Sequence, residues 1–175
     1  EEGLNSLGIC PGELDAIFVT HEHSDHISGL GVFSRKYNVP IYATPKTLDA
    51  IRGCRSLGAI DDGLFQTVKA DESFTIKDMT VNPMRISHDA AEPVAYRFSY
   101  GKQKIGVITD LGTYNDYTIE SLRGMDALLL EANHDVNMLQ VGPYPYPLKQ
   151  RILGDRGHLS NENSGRLLSR LLHDK

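Results

Sequence analysis

The feature that most constrains this fold is a run of histidines and carboxylates that directly follows a short apolar segment. Residues 20–26 read Thr-His-Glu-His-Ser-Asp-His, and residues 15–20 read Asp-Ala-Ile-Phe-Val-Thr. The β-branched and aromatic side chains of the apolar segment predict a buried strand. Three histidines and two carboxylates are costly to bury without partners. We therefore expect this run to lie at the end of the strand, where its side chains can share a ligand.

The spacing of the run favours a metal site. Side chains two residues apart in an extended loop point the same way, so His21 and His23 can reach one ion together. Asp25 and His26 enter the next helix and face a neighbouring position. Imidazole nitrogens and carboxylate oxygens are ligands for zinc, manganese or iron at about 2.0–2.2 Å. The alternative is a solvated polar turn whose histidines happen to cluster.

The remaining pattern predicts one mixed α/β domain over residues 1–175, with helices covering sheets. Short β-rich segments separated by turn residues predict strands at 15–20, 40–44, 65–68, 72–76, 79–86, 94–100, 104–109 and 127–131. Apolar spacing and capping residues predict helices at 27–37, 45–53, 117–123, 148–153 and 161–173. Three prolines within 142–147 predict a stiff loop.

Composition excludes several classes of protein. The 175 residues are 40% hydrophobic and 23% charged, enough for a packed core. A formal charge of -5 excludes a protein that holds nucleic acid by bulk positive charge alone, but it leaves open a local basic groove or charge supplied by bound metal. The sequence has no apolar run of membrane-spanning length and no signal peptide at its start, so we predict a cytoplasmic protein without a membrane partner.

Several motifs together resemble the metallo-β-lactamase superfamily. The run HEHSDH is followed by His88 in ISHD and by Asp110 in TDLG, each after a predicted strand. The segments SHDAAEP, LEANHDVNML and GPYPYPLKQRILGDRGHLSNEN further resemble its WalJ (YycJ-like) branch of bacterial cytoplasmic proteins associated with DNA processing. The resemblance implies a four-layer αββα sandwich with a dinuclear metal site at one edge.

The resemblance also implies roles for individual residues. His21, His23 and His88 would hold one divalent ion, Asp25 and His26 a second, and Asp110 would bridge them; zinc, manganese and iron all suit these ligands. Asp25 would orient the attacking hydroxide or accept its proton. His158 is a candidate general acid, with a last metal ligand or a polar residue at a helix start as alternatives.

Three further residues have open roles. His134 either supports the ligands through a hydrogen bond, or acts directly in the site. Tyr144 and Tyr146 either stack on bases or pack their proline-rich loop.

The resemblance predicts a metal-dependent phosphodiesterase or exonuclease with a DNA substrate. Within enzymes, the alternatives are a β-lactamase or a thioesterase. Relative to the family pattern, we expect the first strands and a last metal-binding histidine to be missing at the two ends, so a non-catalytic binding module is a further alternative. The oligomeric state does not follow from the sequence.

Overall fold

The predicted strands fall into two sheets in the computed structural model, which describes residues 1–172. The chain divides into two compact units. The first comprises residues 1–69 and 90–92, and the second comprises residues 70–89 and the chain from Pro93 onward. The prediction of a single domain over residues 1–175 stays a prediction.

The first unit contains a parallel sheet with the order β1-β2-β3. Its strands are β1 (Ile17–Phe18), β2 (Ile41–Ala43) and β3 (Phe65–Thr67), and its helices are α1 (Glu2–Ser6), α2 (Ser24–Ile27), α3 (Leu30–Tyr37) and α4 (Pro45–Gly53). Three short 3₁₀ helices lie at Pro11–Glu13, Arg55–Leu57 and Asp62–Leu64. The core consists of apolar side chains from the strands and the crossover helices: Val19, Ile27, Leu30, Ile41, Ala43, Leu48, Ile51 and Leu57.

The second unit contains a five-stranded sheet with the order β4-β5-β6-β7-β8. Its strands are β4 (Phe74–Ile76), β5 (Met79–Arg85), β6 (Val94–Tyr100), β7 (Gln103–Ile108) and β8 (Ala127–Leu130). Its helices are α5 (Asp116–Leu122), α6 (Val136–Val141), α7 (Tyr146–Leu153) and α8 (Asn161–Leu171). The core joins sheet and helices: Met84, Ala95, Ile108, Leu111, Ile119, Leu122, Leu159, Leu167 and Leu171.

Pairing within this sheet fixes which strand ends meet. Strands β4 to β7 pair antiparallel, whereas β7 and β8 are parallel. Strands β5, β7 and β8 therefore run in the same direction, and their carboxyl ends lie at one edge of the sheet. The residues that follow these three strands are brought together as a result.

Some predicted boundaries were wrong. The first strand is confined to Ile17–Phe18. Helix α7 begins at Tyr146 rather than at Leu148, because Pro147 fits the first helical turn, where its missing N–H is no loss. Helix α6 was not predicted; it has only six residues, and its clearest sequence signal is the capping side chain of Asp135. Helix α8 is described to Leu171, and its predicted last residue, His173, lies outside the described residues.

No helix within residues 1–172 is both long and apolar enough to cross a membrane.

Candidate metal centre

Three polar residues follow the co-directional strands of the second unit. His88 comes three residues after β5, Asp110 two residues after β7, and Glu131 directly after β8. The backbone between these loops is hydrogen-bonded, since Gly112 N donates to Ser87 O at 2.7 Å. Because the strand ends share one edge, the site is a direct product of the sheet topology.

His88 is a fully buried histidine with a defined orientation. Its ring Nδ1 lies 3.0 Å from Gly157 O, so the Nδ1–H donates there and Nε2, which lies 3.5 Å from Asp89 Oδ1, is the nitrogen that can act as a metal ligand. The Arg156 guanidinium donates two hydrogen bonds to His88 O. Burial lowers the pKa of His88, which favours the neutral ring that a metal requires.

Asp110 has an uncommon backbone conformation. Its φ is 54°, in the left-handed region that non-glycine residues rarely adopt, and the residue is 9% exposed. Such a conformation costs about 1–3 kcal/mol and is found disproportionately at functional sites. The Asp110 carboxylate lies 3.5 Å from His158 Nδ1.

His88, Asp110 and His158 form one group of potential metal ligands. Each offers one ligand atom, and the three atoms lie within 4.8 Å of one another. Imidazole and carboxylate together suit zinc, manganese and iron, so the donor chemistry fits a divalent cation.

Glu131 fixes the orientation of His158 within this group through hydrogen bonds. Its Oε1 lies 2.7 Å from His158 Nδ1, and its Oε2 accepts hydrogen bonds from Leu111 N at 2.7 Å and Leu159 N at 3.1 Å. The hydrogen bond that His158 donates to Glu131 raises the pKa of His158, against the opposing effect of burial. One carboxylate thus joins the loop after β7 to the imidazole of His158.

Two glycines allow the loops around the site to approach closely. A Cβ on Gly157 would lie 2.2 Å from Arg151 O, and one on Gly112 would lie 2.3 Å from Asp155 O. Backbone oxygens cannot move aside as a flexible side chain can. Only glycine therefore fits at these two positions, which lie next to His158 and two residues from Asp110.

His134 lies close to this group, at the start of the α6–α7 excursion. Its backbone bridges to Ser160, and its Nδ1 lies 3.3 Å from the side-chain oxygen of Asn133. Within residues 1–172 its Nε2 is buried without a hydrogen-bond partner. Burial, reinforced by the charge of His158, lowers the pKa of His134. Its role in supporting the ligands stays a prediction.

The histidine run of the first unit forms a second cluster. The ring centroid of His21 lies 4.5 Å from that of His23 and 4.1 Å from that of His26. The hydroxyl of Thr20 lies 3.1 Å from His21 Nδ1 and 3.4 Å from His26 Nδ1. A hydroxyl can donate to one nitrogen and accept from the other, so Thr20 orients two of the predicted ligands.

The two carboxylates of the run differ in their surroundings. The Asp25 side chain is 78% exposed, and one of its oxygens lies 3.6 Å from His26 Nε2. Glu22 instead accepts a 2.7 Å hydrogen bond from Ala91 N and lies 3.5 Å from the Thr47 hydroxyl. The Asp25 carboxylate is thus accessible to a metal ion or water from solvent, whereas Glu22 holds the loop at Ala91 through a hydrogen bond.

Tyr144 and Tyr146 lie outside the histidine clusters, on the excursion between β8 and α8. Tyr144 is 54% exposed and Tyr146 is 71% exposed. Exposed rings are accessible to a base, and the part of each residue that is covered is available to pack the proline-rich loop. Base stacking by these rings stays a prediction.

Two residues that contact the predicted site histidines, Glu131 and Thr20, were not predicted from the sequence. Glu131 looked like the last residue of a buried strand, and Thr20 like the first residue of the histidine run. The sequence does contain a signal for Glu131. A carboxylate directly after the apolar run ALLL lies at the end of a buried strand, and burying a carboxylate costs free energy unless hydrogen-bond donors lie nearby.

Comparison with known proteins agrees with these features. A family model described as a beta-lactamase superfamily domain matches residues 9–173. The chain is 41% identical over 165 residues to the exodeoxyribonuclease WalJ of Streptococcus pneumoniae, covering 94% of this chain and 61% of the relative. It is 39% identical over 171 residues to the exodeoxyribonuclease YycJ of Bacillus anthracis, covering 93% and 61%. The chain therefore spans about three fifths of the length of these relatives.

A solved structure shows a similar fold. The metallo-beta-lactamase fold protein YhfI from Bacillus subtilis superposes with a TM-score of 0.69 at 19% identity, covering 95% of this chain and 64% of that protein. This likeness confirms the predicted fold class.

Proposed function

Because this chain belongs to the beta-lactamase superfamily, we propose that it is a metal-dependent hydrolase that removes nucleotides from DNA by cleaving phosphodiester bonds. Its relatives at 41% and 39% identity are exodeoxyribonucleases. The chain covers only 61% of their length, so their activity and substrate enter here as part of the proposal.

The observation that carries the proposal is the fixed position of His158. Its imidazole is held at 2.7 Å by Glu131, and its Nδ1 lies 3.5 Å from Asp110. The leaving group of a DNA phosphodiester is an alkoxide, which departs readily only when its oxygen receives a proton. A histidine held by a carboxylate, beside a group of metal ligands, is suited to supply that proton.

The residues present fit divalent ions. His88 directs Nδ1 to Gly157 O, which leaves Nε2 for an ion, and Asp110 supplies a carboxylate within the same ligand group. We retain the full set implied by the family: His21, His23 and His88 for one ion, Asp25 and His26 for a second, and Asp110 shared. When bound, divalent ions lower the pKa of water and counter the negative charge of the phosphate.

The side chains have separate tasks in this scheme. Glu131 holds His158 Nδ1, so that Nε2–H can donate to the leaving oxygen. Asp25, which is exposed to solvent, accepts the proton of the attacking water and passes it to bulk water. Thr20 holds the rings of His21 and His26 in orientation. No serine or cysteine nucleophile is needed.

The exposed tyrosines favour a single-stranded or frayed DNA substrate. Aromatic rings stack on any base, so Tyr144 and Tyr146 would hold a strand without reading its sequence. The net charge of -5 does not oppose this, because it includes Asp25 and Asp110, which bound ions would neutralise.

Substrate comparison tests the proposal against its alternatives. The protein is supplied with zinc or manganese and offered a single-stranded deoxyoligonucleotide, a chromogenic cephalosporin and a glutathione thioester. We expect release of nucleotides from the oligonucleotide alone, abolished by a chelator and by His21→Ala or Asp110→Ala. Hydrolysis of the cephalosporin or thioester without nucleotide release would favour the small-molecule hydrolase. DNA binding that persists in both variants and with chelator, without turnover, would favour a binding module.

A further inference from the structure

A cleft of about 590 Å³, lined by both polar and apolar surface, opens beside the candidate metal centre, entirely within the second unit. Its volume lies within the range of about 300–1,000 Å³ typical of small-molecule sites. Arg85, Asp71 and Tyr117 lie on one part of its lining, and Ser87, Thr113 and Tyr114 on another. The proposed hydrolysis has so far used none of these six side chains.

The first three residues form a rigid network. Asp71 accepts hydrogen bonds from Arg85 Nε at 2.8 Å through one oxygen and from the Tyr117 hydroxyl through the other. The same hydroxyl accepts a 3.0 Å hydrogen bond from Arg85 N. Asp71 itself has a φ of 68°, and its N–H donates to Pro83 O at 2.7 Å. The guanidinium is therefore held in one orientation at the carboxyl end of β5, by a carboxylate that lies in the loop before β4.

Arg85 keeps donors available for a ligand. Its side chain is 74% exposed, and Asp71 contacts only Nε and Nη2. The remaining N–H groups, including both on Nη1, form part of the planar fork that suits phosphate oxygens. The aromatic ring of Tyr117, 40% exposed, lies against the same cleft and offers a surface for a base.

Chain connectivity places this cleft next to the ligands. Ser87 immediately precedes His88, and Arg85 is three residues from it, a distance that extended chain spans in at most about 11 Å. Thr113 and Tyr114 follow Asp110 by three and four residues. Successive nucleotides rise by about 3.4 Å along a strand of duplex DNA, so the upper limit of about 11 Å corresponds to at most about three nucleotide spacings. A nucleotide next to the cleaved bond is thus within reach of the cleft.

We propose that this cleft binds the nucleotide adjoining the scissile phosphate, with Arg85 contacting its phosphate and Tyr117 its base. The proposal rests on the proposed DNA hydrolysis and deepens it by assigning a subsite for the substrate strand. Because the contacts are to a backbone phosphate and a base face, the subsite would accept any of the four deoxynucleotides.

The test compares Arg85→Ala with Arg123→Ala. Arg123 is a matched control, because it is also exposed and paired with a carboxylate, that of Glu120, but does not line the cleft. Each protein, loaded with metal, is assayed on a single-stranded deoxyoligonucleotide and on bis(p-nitrophenyl) phosphate, which has no nucleotide to fill the cleft. We expect Arg85→Ala to raise the KM for the oligonucleotide roughly tenfold or more, to leave hydrolysis of the small ester unchanged, and Arg123→Ala to change neither.

Direct binding separates failure of the subsite from failure of the proposed activity. Anisotropy of a fluorescent deoxyoligonucleotide with phosphorothioate linkages, which resist hydrolysis, is measured with metal-loaded protein, so that binding is followed without turnover. A Kd that rises roughly tenfold in Arg85→Ala supports the subsite even if no cleavage is found. An unchanged Kd would overturn it, and so would an equal loss of activity on both substrates, which indicates a structural role for Arg85. Arg85→Lys keeps the positive charge but lacks the planar guanidinium, so we expect its Kd to lie between those of the unsubstituted protein and Arg85→Ala.

Discussion

Glu131 holds His158 with one carboxylate oxygen and the backbone N–H groups of Leu111 and Leu159 with the other. The side chain of Glu131 is 9% exposed. A buried carboxylate with three donors is a strong constraint on the imidazole, because any movement of His158 would leave part of that carboxylate unsatisfied. Glu131, which directly follows β8, therefore fixes the orientation of the imidazole of His158, the proposed proton donor.

Substrates with different leaving groups test whether His158 donates a proton. We expect His158→Ala to slow cleavage of a deoxyoligonucleotide roughly 10²- to 10⁴-fold, the usual contribution of proton transfer. Cleavage of a p-nitrophenyl ester of thymidine 5′-phosphate should fall much less, since p-nitrophenolate leaves without a proton. Steady-state rates on both substrates provide the measurement.

Glu131→Gln is the companion variant. It keeps the size of the side chain, and its amide oxygen can still accept from Leu111 N and Leu159 N, but its amide nitrogen cannot accept a hydrogen bond from His158 Nδ1. We expect the same selective loss on the oligonucleotide, at smaller magnitude. Equal losses on both substrates would mean that the two residues maintain structure or hold metal rather than donate a proton.

Asp110 offers a test that separates stability from function. Asp110→Asn keeps a side chain that tolerates positive φ and removes the carboxylate charge. We expect metal binding and cleavage to be lost, whereas the Tm of the metal-free protein stays within a few degrees.

Asp110→Ala provides the contrast at the same position. It should lose metal as well, and should also be destabilised by about 1–2 kcal/mol through its left-handed backbone. Thermal unfolding after treatment with a chelator measures both variants. A large fall in Tm for Asp110→Asn would show that the carboxylate is a structural element.

Thr20 is expected to tune metal affinity without being a ligand. Thr20→Val has nearly the same shape but lacks the hydroxyl next to His21 Nδ1 and His26 Nδ1. Loss of such supporting contacts typically lowers metal affinity by about 10- to 100-fold. Competition with a chromophoric chelator gives the affinity, and Thr20→Ser, which restores the hydroxyl, is the control. Equal affinity in all three proteins would remove Thr20 from the account.

The exposed tyrosines can be tested by binding alone. We expect the double variant of Tyr144→Ala and Tyr146→Ala to weaken binding of single-stranded DNA roughly tenfold or more, since each base stacked on an aromatic ring contributes about 1–3 kcal/mol. Tyr100→Ala is the control: this tyrosine is 58% exposed but ends β6, which runs opposite to the strands that carry the site. Unchanged affinity in the double variant would exclude stacking by these two rings.

The sequence predicts ligand types better than it predicts their supports. His88 and Asp110 could be selected in advance because each follows a clear strand and matches a family motif. The partners of Glu131 could not, although its place at a strand end was a signal, because the donors to its carboxylate come from residues about 20 and 28 positions away. Such pairings follow from β5, β7 and β8 sharing one direction, and that is fixed by strand pairing in three dimensions. Thr20 was missed for a local reason, since its contacts depend on how the histidine run folds around its hydroxyl.

Local sequence signals predicted some elements correctly but gave no indication of the cleft. The helix Pro45–Gly53 and the strand Val94–Tyr100 agree with prediction, because a proline at a first helical turn and a run of β-formers are strong signals. The cleft at Arg85 had no signal, since Asp71, Arg85 and Tyr117 are ordinary polar residues until β5 and α5 bring them together.

The most direct test of the central claim measures bound metal and DNA cleavage on the same sample. Protein stripped with a chelator is titrated with zinc or manganese, while ions bound per chain and nucleotides released from a single-stranded deoxyoligonucleotide are followed together. The account predicts no release from stripped protein, recovery as ions bind up to two per chain, and loss of both binding and release in His88→Ala. Full nucleotide release by metal-free protein, or full metal loading without any release, would contradict it.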